Sequence, residues 1–540
     1  MVEKLYKEWL EKVKDAELLK ELSQMNDSKK ADCFYRELEF GTGGLRGVLG
    51  AGTNRMNFLT VGRATYGLAD YLVSKGASSV AIAYDTRNKS AEFAMHAAKI
   101  FSSFGLCVYL FNSPVPTPIL SFAVRYLKAS AGIVITASHN PKEYNGYKVY
   151  NETGCQITDG AANEITEHIK KYGYFGQCAP KAERINPLGE EITDAFLSAI
   201  EPFGFQEDGG MYPTIVYTPL NGTGLRPVLK LFEKMGVESY EVVPEQREPD
   251  GNFTTCPSPN PEIKEALSLA LQLAKTRGAE LVLATDPDAD RIGVAIKEGE
   301  AYRILTGNET GVLLENYILE RIQASDKPSY VVKTVVTTEL AADIASEHGV
   351  KLYDVLTGFK YIGETMDRIG EKERFLLGLE ESCGYLVGTH ARDKDAVSAV
   401  MLILQMASYY KKQGKSLSLV LNVLYERYGY YETALESYAF MGADGKKKMD
   451  ERMQTLRAEP LDFLADEKTE KVVDYSLGVE GLPKSDVIAF FSSHYKIVVR
   501  PSGTEPKLKI YYFVHNANEA QAKQDKNRLI AFVRKALSLK

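Results

Sequence analysis

Short apolar runs recur along the chain, at 80–84, 133–136, 214–217, 280–284, 330–336 and 375–379. Each is too short for a stable helix and is rich in β-branched or aliphatic residues, so each predicts a buried strand. Between them, residues 261–275 and 310–322 carry helical spacing. This alternation implies βαβ units and largely parallel sheets, an α/β class. The first 30 or so residues read as a charge-rich amphipathic helical arm. Residues 396–407 form an apolar run too short to span a bilayer, which predicts a buried helix. Near the C-terminus the pattern changes. Runs at 495–500 and 508–514 flank a Pro- and Gly-containing loop, and residues 518–537 follow, which predicts a hairpin closed by a helix.

Nearly every strand-like run stops in a polar or glycine-rich motif. These are Asp85-Thr86-Arg87, Ser138-His139-Asn140, Asn221-Gly222-Thr223-Gly224, Asp286-Pro287-Asp288-Ala289-Asp290-Arg291 and Glu380-Glu381-Ser382. Open α/β sheets bind ligands beyond the carboxyl ends of their strands, so several sheets are expected to aim such edges at one cleft. Gly41-Thr42-Gly43-Gly44-Leu45-Arg46 and Gly222-Thr223-Gly224-Leu225-Arg226 echo one another and hint at duplicated units. At 540 residues the chain is too long for one core. The pattern divides it into 1–206, 207–304, 305–428 and 429–540.

Composition narrows the function. A net charge of −7 argues against broad nucleic-acid binding, which needs a basic footprint. A small anionic ligand needs only a few local Arg and Lys residues. The six cysteines are scattered without metal-ligand spacing, as expected for reduced thiols of a cytoplasmic protein. The charged N-terminus holds no signal-peptide core, and no membrane segment is expected.

Three motifs carry chemistry. Asp286, Asp288 and Asp290 alternate after an apolar strand. Carboxylates so close repel unless they share a cation. A calcium EF-hand fails, because Arg291 and Lys297 stand at its glycine and terminal carboxylate positions. Three oxygens leave open positions for a phosphate oxygen, which suits Mg2+. Ser138 ends another strand with a free hydroxyl. It lies in no Gly-x-Ser-x-Gly elbow and belongs to no evident hydrolase triad. His139 beside it fits either an orienting or a local hydrogen-bonding role, and Lys148 is either a surface lysine or, in a closed cleft beside Ser138, a group that stabilises phosphoryl charge and helps move a proton. Arg500-Pro501-Ser502-Gly503-Thr504, with Lys509 beyond it, has the composition of a phosphate nest. No Walker loop or dinucleotide fingerprint is present.

In combination, Thr136-Ala137-Ser138-His139-Asn140-Pro141, Asp286 to Arg291 and Arg500 to Thr504 resemble the α-D-phosphohexomutases. The resemblance is strongest to the bacterial phosphoglucomutase branch, shared with phosphopentomutase-like members. It runs in family order from about Phe40 to Lys509. It implies three related mixed-sheet α/β domains and a C-terminal α+β domain around a central cleft. It implies that Ser138 is the phosphorylated serine and that Asp286, Asp288 and Asp290 hold Mg2+ together with a phosphoserine oxygen. Arg291 would lie near the transferring phosphoryl group. Arg46 and Lys148 match residues of proton transfer and charge stabilisation. Thr357, Gly358, Lys360, Glu380 and Ser382 match the sugar-reading loops, and Arg500, Ser502, Gly503, Thr504 and Lys509 the distal phosphate site. The reading loop begins with Leu379 where many members have Gly, and the domain-two motif with Asn221 where many have His.

The implied reaction moves phosphate between carbons 1 and 6 of a hexose monophosphate, with glucose 1,6-bisphosphate as intermediate and activator. Phosphomannomutase and phosphopentomutase activities are alternatives on the same scaffold. A metal-dependent sugar phosphatase and a non-catalytic sugar-phosphate binder are rivals of other classes. The sequence specifies no oligomeric state.

Overall fold

The computed structural model describes residues 2–41, 43–176, 181–205, 211–440, 445–479, 481–501 and 507–539. The N-terminal arm is not one helix but three, Val2–Lys12, Ala16–Ser23 and Asp27–Phe34. Asp15 and Asn26 break the run by capping the second and third, each side chain accepting from a first-turn N–H. The arm folds back on its own unit. Trp9 is fully buried, and its ring meets those of Phe34, Tyr174 and Phe175 at 5.5, 5.3 and 5.9 Å.

The chain forms two compact units. One holds Met1–Thr310, Phe359–Gly378 and Ser382–Gln413; the other holds Gly311–Gly358, Leu379–Glu381 and Gly414–Lys540. In the first unit, strands β1 (Leu45–Val48), β2 (Ser79–Tyr84), β3 (Cys107–Phe111), β4 (Ala131–Ile135), β5 (Tyr144–Tyr150) and β6 (Ile185–Leu188) form a sheet ordered β1-β5-β4-β2-β3-β6. β2 is buried along its whole length between β3 and β4, both parallel to it. Helices Phe58–Ser74 and Ser90–Ser103 help bury it through a core that includes Val61, Phe93, Ala97 and Phe101. Val61, Phe93 and Phe101 each stabilise the unit by about 1.5–3 kcal/mol on leaving water, and the Ala97 methyl by about 0.8 kcal/mol.

A second sheet is ordered β11-β10-β9-β7-β8, from β7 (Ile215–Thr218), β8 (Tyr240–Val242), β9 (Leu281–Thr285), β10 (Ile292–Glu298) and β11 (Ala301–Leu305). Both sheets are mixed, as the family resemblance implied and where the run pattern alone implied largely parallel ones. β4 pairs antiparallel with β5, and β9 with β10. The cause is local: only residues 136–143 join β4 to β5 and only 286–291 join β9 to β10. A parallel return needs a crossover of a dozen or more residues. The two chemically marked loops are therefore hairpin loops, each at the carboxyl end of a buried strand.

The helix expected over 261–275 begins only at Ser268 and runs to Arg277. Before it, i→i−3 turns such as Ile263 N–H to Asn260 O keep the chain close to β10, where Gly293 packs on Pro261. The apolar run after Asp395 is the buried helix Ala396–Lys412, with Asp395 as its cap.

In the second unit, strands Ser329–Thr334 and Lys351–Val355 pair in parallel. The C-terminal part is an antiparallel sheet of Tyr430–Ala439, Lys507–Asn516, Tyr495–Pro501, Ile488–Phe491 and Lys471–Asp474, in that order. Helix Glu519–Ala536, capped by Asn518, packs on it through Leu529 and Val533. The expected hairpin and closing helix are both present. Among the described residues no helix is long and apolar enough to cross a membrane.

Candidate active site

β4 delivers the chain into the Ser138 loop with Ser138 in the left-handed region, φ 53°. Thr136 Oγ1 accepts from Ser138 N–H at 2.8 Å, and Asn140 N–H closes a turn onto Ala137 O at 3.1 Å. Ser138 Oγ donates to Asp286 Oδ2 at 2.7 Å and lies 3.2 Å from His139 Nδ1. Burial, then the guanidiniums of Arg291 and Arg46, hold the His139 imidazole well below its usual value, so it is neutral. Arg46, exposed on β1, donates to Asn140 Oδ1 at 3.3 Å.

The β9–β10 loop turns with Ala289 in the left-handed region. Asp286 Oδ1 accepts from the N–H groups of Asp290 and Arg291, both at 3.0 Å. Thr223 N–H and Oγ–H both donate to Pro287 O, at 2.8 and 2.9 Å. Thr117 Oγ1 and Lys148 Nζ donate to Asp288 Oδ2 at 2.7 and 2.8 Å. Lys148 also reaches Asp290 Oδ2 at 3.2 Å. The three Asp side chains are buried, and one ligand oxygen from each lies within 4.8 Å of the others.

Charge tells how this cluster is satisfied. Burial, then Asp290 and Asp288, push the Asp286 carboxyl well above the usual carboxylate range. Burial acts in the same sense on Asp288 but is outweighed by Lys148, which holds that carboxyl down. Lys148 itself stays charged: burial works against the ammonium, and Asp288 and Asp290 more than offset it. Asp288 Oδ1 and Asp290 Oδ1 remain buried without a hydrogen-bond partner. Three converging carboxylates with unused oxygens, one of them driven to hold a proton, fit a hard divalent cation.

Arg291 pairs with Glu262, and its Nε lies 3.8 Å from Asp290 Oδ1. The Ser382 loop is tied to the strand after Arg291: Ile292 N–H donates to Cys383 O at 3.0 Å. Lys360, on helix Phe359–Ile369, reaches Asp159 at 3.4 Å. These residues belong to the first unit. Thr357, Gly358 and Glu380 belong to the second, where Gly358 N–H donates to buried Glu380 Oε1 at 3.0 Å. Arg500 and Lys509 face each other across the antiparallel C-terminal pair. Like charges placed so destabilise a sheet unless an anion is shared. Ser502, Gly503 and Thr504 lie outside the described residues.

Sequence reasoning missed a second ammonium at the cluster. Lys394 Nζ lies 3.3 Å from Asp290 Oδ2 and 3.3 Å from Asp393 Oδ1, while Tyr150 OH donates to Asp393 Oδ2 at 2.7 Å. The signal was the alternating charge of Arg392-Asp393-Lys394-Asp395 directly before a buried helix. Thr117 gave no such signal.

The glycine echo marks no duplicated element: Leu45-Arg46 opens β1, whereas Leu225-Arg226 opens helix Leu225–Met235. A Cβ on Gly44 would fall 1.8 Å from Tyr147 O, and one on Gly222 would fall 2.4 Å from Pro287 Cα. Each glycine lets backbone approach a chemically marked element.

Models of the phosphoglucomutase/phosphomannomutase α/β/α domains I, II and III match residues 37–174, 194–299 and 306–428. A phosphoglucomutase of Staphylococcus aureus strain MSSA476 is 34% identical over 543 residues, covering 97% of this chain and 98% of that protein. Among solved structures, parafusin of Paramecium, an exocytosis-sensitive phosphoprotein and phosphoglucomutase, matches at TM-score 0.70 and 18% identity over 94% of this chain and 95% of that one. A phosphoglucomutase/phosphomannomutase family protein of Burkholderia thailandensis matches at TM-score 0.68 and 19% identity over 92% and 96%.

Proposed function

The chain belongs to the phosphoglucomutase/phosphomannomutase family of intramolecular phosphotransferases, and we propose that it interconverts glucose 1-phosphate and glucose 6-phosphate through phosphorylated Ser138. The observation that carries this reading is the Ser138 hydroxyl held 2.7 Å from Asp286, within the buried carboxylate cluster.

In the forward step the Oγ–P bond of phospho-Ser138 breaks as a sugar hydroxyl oxygen bonds to phosphorus. The hydroxyl proton departs and an equivalent proton returns to Ser138 Oγ, leaving glucose 1,6-bisphosphate. The bisphosphate reorients, and the reverse step at its other end restores phospho-Ser138. Such transfer depends mainly on in-line positioning and charge neutralisation. Lys148, charged and buried, supplies fixed positive charge where the phosphoryl group develops negative charge. Arg46 and Arg291 extend that field. Neutral His139 orients the hydroxyl without adding charge. Asp286, Asp288 and Asp290 would hold Mg2+, which would supply Lewis-acid neutralisation of the transferring group. Thr357, Gly358, Lys360, Glu380 and Ser382 read the sugar hydroxyls. Arg500, Ser502, Gly503, Thr504 and Lys509 hold the phosphate that is not reacting.

The test is phosphorus NMR of the purified enzyme with glucose 1-phosphate, Mg2+ and a trace of glucose 1,6-bisphosphate. Appearance of glucose 6-phosphate is expected. Release of free phosphate would replace the reading with a sugar phosphatase. No reaction with glucose 1-phosphate, but turnover of mannose 1-phosphate or ribose 1-phosphate, would move the substrate and keep the chemistry.

A further inference from the structure

The strand-end motif Asp85-Thr86-Arg87 has no role in the chemistry above, yet its arginine is built into the loop that carries Ser138. The side chains of Asp85 and Arg87 are both fully enclosed, with Arg87 Nε 3.2 Å from Asp85 Oδ2. Asp85 is itself fixed, accepting from Arg87 N–H at 2.9 Å and Ser90 Oγ at 2.7 Å. From this anchor the guanidinium makes four hydrogen bonds, three to main-chain carbonyls of the β4–β5 loop and one to the first residue of β5. Nη1 donates to Pro141 O at 2.9 Å and Tyr144 O at 3.2 Å. Nη2 donates to Ser138 O and Asn140 O. The Phe253 ring covers the guanidinium carbon at 4.9 Å.

We propose that Arg87 is a positioning residue for phosphoryl transfer: by gripping the carbonyls of Ser138 and Asn140 it holds Ser138 in its left-handed backbone and aims Oγ at the carboxylate cluster. The inference rests on reading Ser138 as the phosphoryl carrier. A non-glycine residue at φ 53° is disfavoured on its own, so its surroundings must impose it. The carbonyls of Ala137, Pro141 and Glu143 accept from main-chain N–H groups, whereas Nη2 of Arg87 serves those of Ser138 and Asn140, and buried carbonyls need donors. A planar fork with several N–H groups can serve carbonyls at both ends of the loop at once. A lysine offers one point of donation and cannot span them. A role in fold stability alone would not require three of the four acceptors, Ser138 O among them, to belong to the loop of the nucleophile.

The experiment compares wild type, Arg87→Lys and the isosteric Asp85→Asn as full-length enzymes with Mg2+. Each is followed by thermal melting, by steady-state kcat and KM, and by the rate at which labelled glucose 1,6-bisphosphate phosphorylates Ser138. Arg87→Lys is expected to lower kcat and the phosphorylation rate by about 100-fold, the scale of a 1 Å misplacement, with KM within about threefold of wild type. Asp85→Asn, which keeps the shape of the site and so serves if Arg87→Lys fails to fold, is expected to fall about tenfold in the same two rates, with the same KM. Folded variants that turn over like wild type would overturn the inference. So would losses that merely follow the folded fraction. Failure of wild type to phosphorylate Ser138 would instead overturn the reading beneath it.

Discussion

Ser138 Oγ donates a 2.7 Å hydrogen bond to Asp286 Oδ2 across 148 positions of sequence. The bond joins the end of β4 to the end of β9, so two sheets with separate cores meet at the Ser138 hydroxyl. Neither loop is a site alone: one brings a hydroxyl, the other the carboxylates that need a cation.

Ser138→Ala is expected to abolish mutase turnover and labelling by glucose 1,6-bisphosphate. The lost hydrogen bond costs about 1 kcal/mol, so melting should stay cooperative and near that of wild type. Mass spectrometry and a coupled assay decide it. Retained turnover would remove Ser138 from the mechanism.

The Asp cluster makes stability depend jointly on pH and Mg2+. Asp286 is raised above its unfolded value of 3.8, chiefly by burial and then by Asp290 and Asp288. Its stabilising contribution is therefore complete below that unfolded value and is lost as pH rises through the folded value. Mg2+ held at this cluster as proposed would take the place of the proton, so stabilisation by Mg2+ should grow as pH rises, and binding should release protons. Melting curves with and without Mg2+ across pH measure this. An increment independent of pH would argue against Asp286 as a ligand. EDTA should abolish turnover, and Mg2+ should restore it.

Arg500→Ala should raise KM for hexose monophosphates by about 10–100-fold, as expected for losing a charge-assisted bond worth about 1.5–3 kcal/mol. Because Arg500 lies opposite Lys509, the change should not destabilise the C-terminal sheet. Equilibrium titration with glucose 6-phosphate tests it, and unchanged affinity would contradict the phosphate assignment.

Glu315, on helix Gly307–Arg321, is fully buried, and neither carboxylate oxygen has a hydrogen-bond partner. Burial raises its carboxyl well above 4.5, and Lys333 only partly opposes this. The native protein thus loses stability as pH rises from 4.5 through the folded value, by up to about 1.4 kcal/mol per pH unit. Glu315→Gln should flatten that dependence and melt higher than wild type under alkaline conditions. Identical pH profiles of melting would show that Glu315 is already ionised.

Much of this was legible in sequence because it is local. A buried strand followed directly by Ser138, or by three alternating Asp residues, announces both the element and its chemical edge. Strand direction was not legible in the same way: β4 and β9 look like members of parallel units, but short loops return the next strand antiparallel. Side-chain convergence was harder still. Lys394 meets Asp290 through the path of a distant chain segment, and the grip of Arg87 is exerted on carbonyls, which carry no sequence signature. The glycine echo was visible but misleading, because Leu45-Arg46 enters a strand and Leu225-Arg226 a helix.

The left-handed backbone at position 138 also chooses between two alcohols. Threonine carries the same hydroxyl and is phosphorylated by the same chemistry. Its second γ-branch, however, makes a positive φ a true outlier. A threonine here would relax towards ordinary backbone angles and swing its oxygen away from Asp286. On the proposed reading of Ser138, the choice of serine as phosphate carrier follows from main-chain conformation rather than from nucleophilicity.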